Sequence, residues 1–163
     1  MRLVEGTVTV EDVDAFVADL AAVGEAHGCA VQAFDARMVV GERHLRRAVE
    51  LAARARERGE AIARDRAVEI LLYAAGRRQI DQALALGVSE GEDRPVVVVV
   101  DGEGEADAAA AVADRLASAS TLGGYDEERV ASYYGITAAE REATDADLEA
   151  LVCERVALLA VEK

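Results

Sequence analysis

Ten arginines lie between Arg43 and Arg78: Arg43, Arg46, Arg47, Arg54, Arg56, Arg58, Arg64, Arg66, Arg77 and Arg78. Only five acids share the segment, Glu50, Glu57, Glu60, Asp65 and Glu69. Guanidinium groups gathered in this way can neutralise phosphates, and the gathering stands out because the whole chain carries a formal net charge of −14. A net basic segment in a protein otherwise built to repel polyanions is a candidate phosphate-binding face. The same side chains would also suit exposed helix surfaces, paired with acids one turn away. Composition alone leaves both readings open.

The other residues capable of chemistry form no recognisable constellation. Gly102-Glu103-Gly104-Glu105 has the outline of a dinucleotide loop but lacks the third glycine. Its two carboxylates would sit where a pyrophosphate needs positive potential, so the segment reads as a turn and an acidic helix start. Lys163 is the sole lysine, which excludes a phosphate-binding P-loop. His27 and His44 fall on different predicted elements, with no carboxylate or cysteine at ligand spacing, and are expected in surface or cap roles. Cys29 and Cys153 belong to no metal or disulfide pattern and read as buried thiols. Carboxylate pairs such as Glu127/Glu128 carry little information on so acidic a surface. No cofactor or metal is expected.

The elements that must position the arginines follow from periodicity. Arg2 to Val8 alternates like a strand, and Val13, Phe16, Val17, Leu20 and Val23 recur at helical spacing up to Gly28. Cys29 to Asp35 is a short strand. From Gly41 to Gly59 the pattern is helical, with Leu45, Val49, Leu51 and Ala52 inward and Arg43, Arg46, Arg47, Arg54 and Arg56 in solvent. Asp65 resembles an N-cap for a helix ending at Gly76, although Ile70-Leu71-Leu72-Tyr73 also fits a buried strand. A short helix spans Arg78 to Leu86. Val96 to Val100 is the clearest strand, five valines suited to the middle of a sheet. Helices are expected from Glu105 to Ser118 and from Asp126 to Tyr134, with a flexible loop between them. A last helix, capped by Thr144, runs through Val156, and Leu158 to Val161 is expected to close the chain as a strand. The fold class is α/β or α+β: one domain over residues 1–163, with a single mixed β-sheet flanked by helices.

With 163 residues and 52% hydrophobic content, the chain can build a sizeable core from small and branched side chains. Its 32 acids against 18 bases, almost all of them arginine, suit a salt-rich, haloarchaeal cytoplasm, where self-repulsion is screened within about 3 Å at 1 M. Codon bias in a GC-rich genome would leave a similar trace. No segment has the length of a signal peptide's apolar run or of a membrane span, so a cytoplasmic location is expected.

Phe34-Asp35-Ala36, Val39-Val40-Gly41 and His44-Leu45 are followed by the arginine-rich helix, and then by Glu69-Ile70-Leu71-Leu72-Tyr73-Ala74-Ala75-Gly76-Arg77-Arg78-Gln79-Ile80, Ala83-Leu84 and Gly87-Val88. In order and spacing this succession resembles the kinase-binding subunit of the KEOPS tRNA-modification complex, the family that includes TPRKB. The tail with Leu148, Val152, Cys153 and Val156-Ala157-Leu158-Leu159 resembles that family's C-terminal end, while Glu103 to Gly135 resembles nothing recognisable.

The resemblance implies a subunit that does no chemistry itself. Its partners would be a small kinase/ATPase subunit and, indirectly, the threonylcarbamoyl-transferase subunit, which together make threonylcarbamoyladenosine at position 37 of tRNA. It would help recruit tRNA by the single-stranded 3′ CCA end, with no membrane partner. Within that role Arg77, Arg78 and Gln79 are the candidate RNA contacts, Arg because it can fork to phosphate and Gln because it can read a base edge. Arg64 and Arg66 are further candidates, and a structural bridge from Gly76 to the next helix is the other reading of Arg78 and Gln79. Leu148, Leu151, Val152 and Val156 are candidates for an apolar kinase contact, with core packing as the alternative. Two other classes remain open: a small nucleotide- or acyl-utilising enzyme with its site near Asp101, and a stand-alone RNA-binding domain.

Overall fold

The computed structural model describes residues 1–162, and the chain separates into two compact units. The first comprises Met1–Ala36 and Gly87–Leu122, and the second Arg37–Leu86 and the chain from Gly123 on.

The first unit holds β1 (Arg2–Val10), α1 (Val13–His27), β2 (Cys29–Asp35), β3 (Gly91–Gly102), α5 (Glu105–Ala113) and β4 (Ala117–Ser118). Its sheet has the order β2-β3-β1-β4, and every pairing is antiparallel. The expected single sheet with flanking helices is present, in an α+β arrangement, but the sheet is antiparallel throughout rather than mixed. β3 is central because its five consecutive valines are fully buried on both faces. Each such valine contributes about 1.5–3 kcal/mol relative to exposure. Val96, Val98 and Val100 share a face with Val31 and Ala33, and that face packs under Leu20 and Val23 of α1 and Ala108 and Val112 of α5. The segment expected to be a flexible loop is tethered: Glu5 Oε1 accepts the Thr121 and Leu122 N–H groups at 2.9 and 2.8 Å, and Thr121 donates to the Val96 carbonyl.

The second unit is helical: α2 (Glu42–Glu57), α3 (Arg66–Ala75), α4 (Ile80–Ala83), α6 (Glu127–Tyr134), α7 (Ala138–Glu142) and α8 (Leu148–Glu162). α2 packs against α3, and α8 lies against α2, α3 and α6. Asp65 caps α3 by accepting the Val68 N–H at 3.1 Å. Gly76 ends the helix in the left-handed conformation, where a Cβ would also stand 3.1 Å from the Arg155 carbonyl. These two signals bracket Ile70 to Tyr73, so that run is helix rather than strand.

Three expectations fail for identifiable reasons. The helix from Glu105 stops at Ala113, because Ala117 and Ser118 pair with Thr7 and Gly6 at the sheet edge as β4. The final helix does not give way to a strand at Leu158. With no Gly or Pro to interrupt it, it continues to Glu162, and Asp147 rather than Thr144 caps it by accepting the Ala150 N–H at 2.8 Å. His44 is neither a surface group nor a simple cap, being fully buried.

Candidate functional site

The chain leaves α2 in a tight turn, with the Glu60 N–H donating back to the Ala55 carbonyl at 2.8 Å. It then crosses in front of α3. That crossing is held by Glu69, whose buried carboxylate accepts the Ile62 N–H at 3.0 Å and the Ala63 N–H at 2.9 Å. A charge inside an apolar helix is costly unless hydrogen-bonded, and here it is spent on shaping a loop. Between this loop and the segment after α3 lies a pocket of about 520 Å³, lined by Ile62, Val68, Leu72, Arg64, Arg78 and Gln79 among others. A second depression shares Ile62 and Arg78 with it and reaches Glu60 and Ala160. Together they form a groove with an aliphatic floor and a polar rim.

The rim is mixed. Arg64, Arg78 and Gln79 are exposed, and their side chains have no hydrogen-bond or ion-pair partner among the described residues. Asp65 and Asp81 also line the pocket. The Asp65 carboxylate is occupied as the α3 cap, while Asp81 stands in the first turn of α4. The arrangement offers two guanidinium forks and an amide for phosphate and base edges, an acceptor for amino groups, and a dry floor for a flat ring.

Two neighbouring tyrosines fix the exit of α3 from which this rim is built. Tyr134 Oη and His44 Nε2 both donate to the Ala74 carbonyl, at 2.7 and 2.8 Å, satisfying an acceptor in the helix's last turn. His44 Nδ1 in turn accepts the Val40 N–H at 3.4 Å, which fixes the neutral tautomer with its proton on Nε2. Burial lowers the His44 pKa to about 4, and the Ala74 bond only partly offsets this. Burial likewise holds the Tyr134 phenol well above its ordinary range, so it remains a donor. Next to it, the Tyr133 ring lies 4.5 Å beneath the Arg77 guanidinium, and Arg77 Nη2 donates to the Tyr133 carbonyl. Arg155 completes the corner by donating to the Tyr134 and Gly135 carbonyls and forking onto Glu140 at 2.7 and 2.8 Å.

The residues nominated from sequence are therefore separated by the structure. Arg64, Arg78 and Gln79 come together at the groove. Arg77 is turned away onto Tyr133, and Arg66, half-buried at the start of α3, is engaged by the chain's own groups. Leu148, Leu151, Val152 and Val156 are 4%, 3%, 0% and 0% exposed, and so belong to the packing of α8 rather than to its surface. The apolar residues that α8 does present are Leu158 and Val161, at 47% and 80% exposure. Sequence reasoning missed Glu69 and the floor formed by Ile62, Val68 and Leu72. A lone acid at the head of Ile70-Leu71-Leu72-Tyr73 was the available sign. Near Asp101, the His27 Nδ1 donates to the Val23 carbonyl within α1 at 2.9 Å. Among the described residues no group of three His, Cys, Asp or Glu could hold a metal ion, and no helix is long and apolar enough to cross a membrane.

Fold and groove together define a small α+β protein with a mixed-polarity groove on its helical unit. The family model for the kinase binding protein CGI-121 matches residues 10–160, and the chain belongs to that family. No curated protein matches it.

Proposed function

We propose that this chain is a non-catalytic accessory subunit of the KEOPS complex in tRNA threonylcarbamoyladenosine modification. It binds the kinase/ATPase subunit, is linked through it to the threonylcarbamoyl-transferase subunit, and recruits tRNA by the 3′ CCA end in a salt-rich cytoplasm. Membership of a kinase-binding family supports the first part. The observation that carries the second is the groove, in which the side chains of Arg64, Arg78 and Gln79, without partners among the described residues, surround the aliphatic floor of Ile62, Val68 and Leu72.

Unpaired nucleotides need this combination. Their phosphates require cations, their ring faces a dry surface, and the amino groups of cytosine and adenine an acceptor such as Asp81. For the kinase, Leu158 and Val161 in the last turns of α8 offer exposed apolar side chains, beyond the buried Leu148, Leu151, Val152 and Val156 of the same helix.

Fluorescence anisotropy with intact tRNA and with tRNA lacking its 3′ CCA tests the RNA half. Intact tRNA should bind about tenfold tighter or better, and equal affinity for the two contradicts the reading. Co-purification with the kinase subunit tests the other half, and failure to form a complex at high salt overturns it.

A further inference from the structure

The ten arginines of the basic segment are not equivalent once their partners are known. Arg43 pairs with Asp147 and Glu149, Arg46 with Glu42 and Arg47 with Glu50, Arg77 lies on Tyr133, and Arg66 is engaged. The remaining five, Arg54, Arg56, Arg58, Arg64 and Arg78, have no ion-pair or hydrogen-bond partner for their side chains among the described residues. Every other arginine of the chain is engaged: Arg2, Arg115, Arg141 and Arg155 by carboxylates, Arg94 by the Glu90 carbonyl, Arg37 and Arg129 by other groups. In so acidic a protein, five guanidiniums within one short stretch that find no partner among the described residues need a cause.

Arg64 and Arg78 rim the groove already described. Arg54, Arg56 and Arg58 occupy the last turn and C-cap of α2, immediately before the Glu60 to Ile62 wall of the groove. Favourable interaction with the helix's negative end is not a sufficient cause, since α3, α5 and α6 have no basic residue in their last turns. Nor is this end of α2 suited to unstacked bases, because its exposed residues, Ala53, Arg54, Arg56, Glu57 and Arg58, include no large apolar side chain of the kind that floors the groove. It offers charge alone, and charge alone fits a paired RNA stem, whose bases are stacked inside and whose phosphates face out.

We infer that Arg54, Arg56 and Arg58 form a second contact surface, for the phosphodiester backbone of the double-stranded stem that continues from the single-stranded end held in the groove. The inference rests on the RNA-binding reading above and extends it from the unpaired tail to the adjoining duplex. Tail and stem are thus held by different chemistry: aliphatic floor, amide and guanidinium forks for the first, long-range charge for the second.

The test compares an RNA hairpin ending in an unpaired CCA tail with the tail alone as an oligonucleotide. Each is titrated by anisotropy at several salt concentrations against the wild type and the triple variant Arg54→Gln/Arg56→Gln/Arg58→Gln. These residues are exposed, so the variant is expected to fold, which circular dichroism checks. The wild type should bind the hairpin about tenfold or more tighter than the tail. The variant should lose that gain, and the slope of log affinity against log salt should fall by about two to three while tail binding is unchanged. Wild-type binding of the tail with no gain from the hairpin, an unchanged hairpin affinity in the variant, or an equal loss for both RNAs overturns the inference and leaves the groove standing. Failure of the wild type to bind either RNA overturns both.

Discussion

The Arg77 guanidinium lies 4.5 Å over the Tyr133 ring and donates to the Tyr133 carbonyl, so the first arginine after α3 is a structural clasp and not part of the groove rim. A cation on an aromatic face and a charged hydrogen bond together are worth about 1–3 kcal/mol. Arg77→Ala should lower stability by that amount in urea denaturation. Arg77→Lys should recover little of it, because an ammonium cannot both cover the ring and keep the guanidinium's fork.

His44 makes stability depend on pH in a defined window. Its folded pKa of about 4 lies below the unfolded value of 6.5, so the unfolded chain binds the proton first. The stability that His44 contributes is complete above pH 6.5 and is lost as pH falls toward 4. Between pH 7.5 and 5 the loss is about 2 kcal/mol. Denaturant titrations across that range should show this decrement in the wild type and a smaller one in His44→Gln, after subtraction of the carboxylates common to both.

Glu69 holds the wall of the groove through two backbone N–H groups. Glu69→Ala leaves the Ile62 and Ala63 donors without a partner and should cost about 1–3 kcal/mol. Hydrogen exchange offers the sharper readout: the Ile62 and Ala63 amides should lose protection while those of β3 keep theirs.

On α8, two leucines seven residues apart should behave oppositely. Leu158→Glu, at a half-exposed position, should fold normally and weaken kinase binding. Leu151→Ala, at a buried one, should cost about 2–5 kcal/mol in stability. Calorimetry of the complex beside thermal melts of the free protein separates the two effects.

Most of the fold could be read from the sequence where local chemistry decides it. β2 has the predicted bounds, α3 runs from the Asp65 cap to Gly76 as the capping signals indicate, and α6 covers the expected span with Asp126 as its cap. The misses lie where tertiary context overrides the local pattern. Ala117 and Ser118 have weak preferences of their own and become strand only because β1 presents an edge. Leu158 to Val161 is apolar enough for a strand, but the helix before it continues uninterrupted. The site was half legible for a similar reason. Charge counting located the basic segment, yet it could not tell Arg77, which faces an aromatic ring 56 residues away, from Arg78, which faces solvent. Long-range partners also explain His44, whose buried place depends on Ala74 and Tyr134.

A groove at Arg78 that receives the unpaired 3′ end of tRNA should couple that residue to the CCA, and a thermodynamic cycle measures the coupling. Affinities are measured for wild type and Arg78→Ala, each with intact tRNA and with tRNA trimmed of its CCA. Arg78→Ala should weaken binding of intact tRNA about tenfold or more, a loss of about 1–3 kcal/mol, and have almost no effect on the trimmed molecule. An equal loss with both RNAs, or none with either, would contradict it.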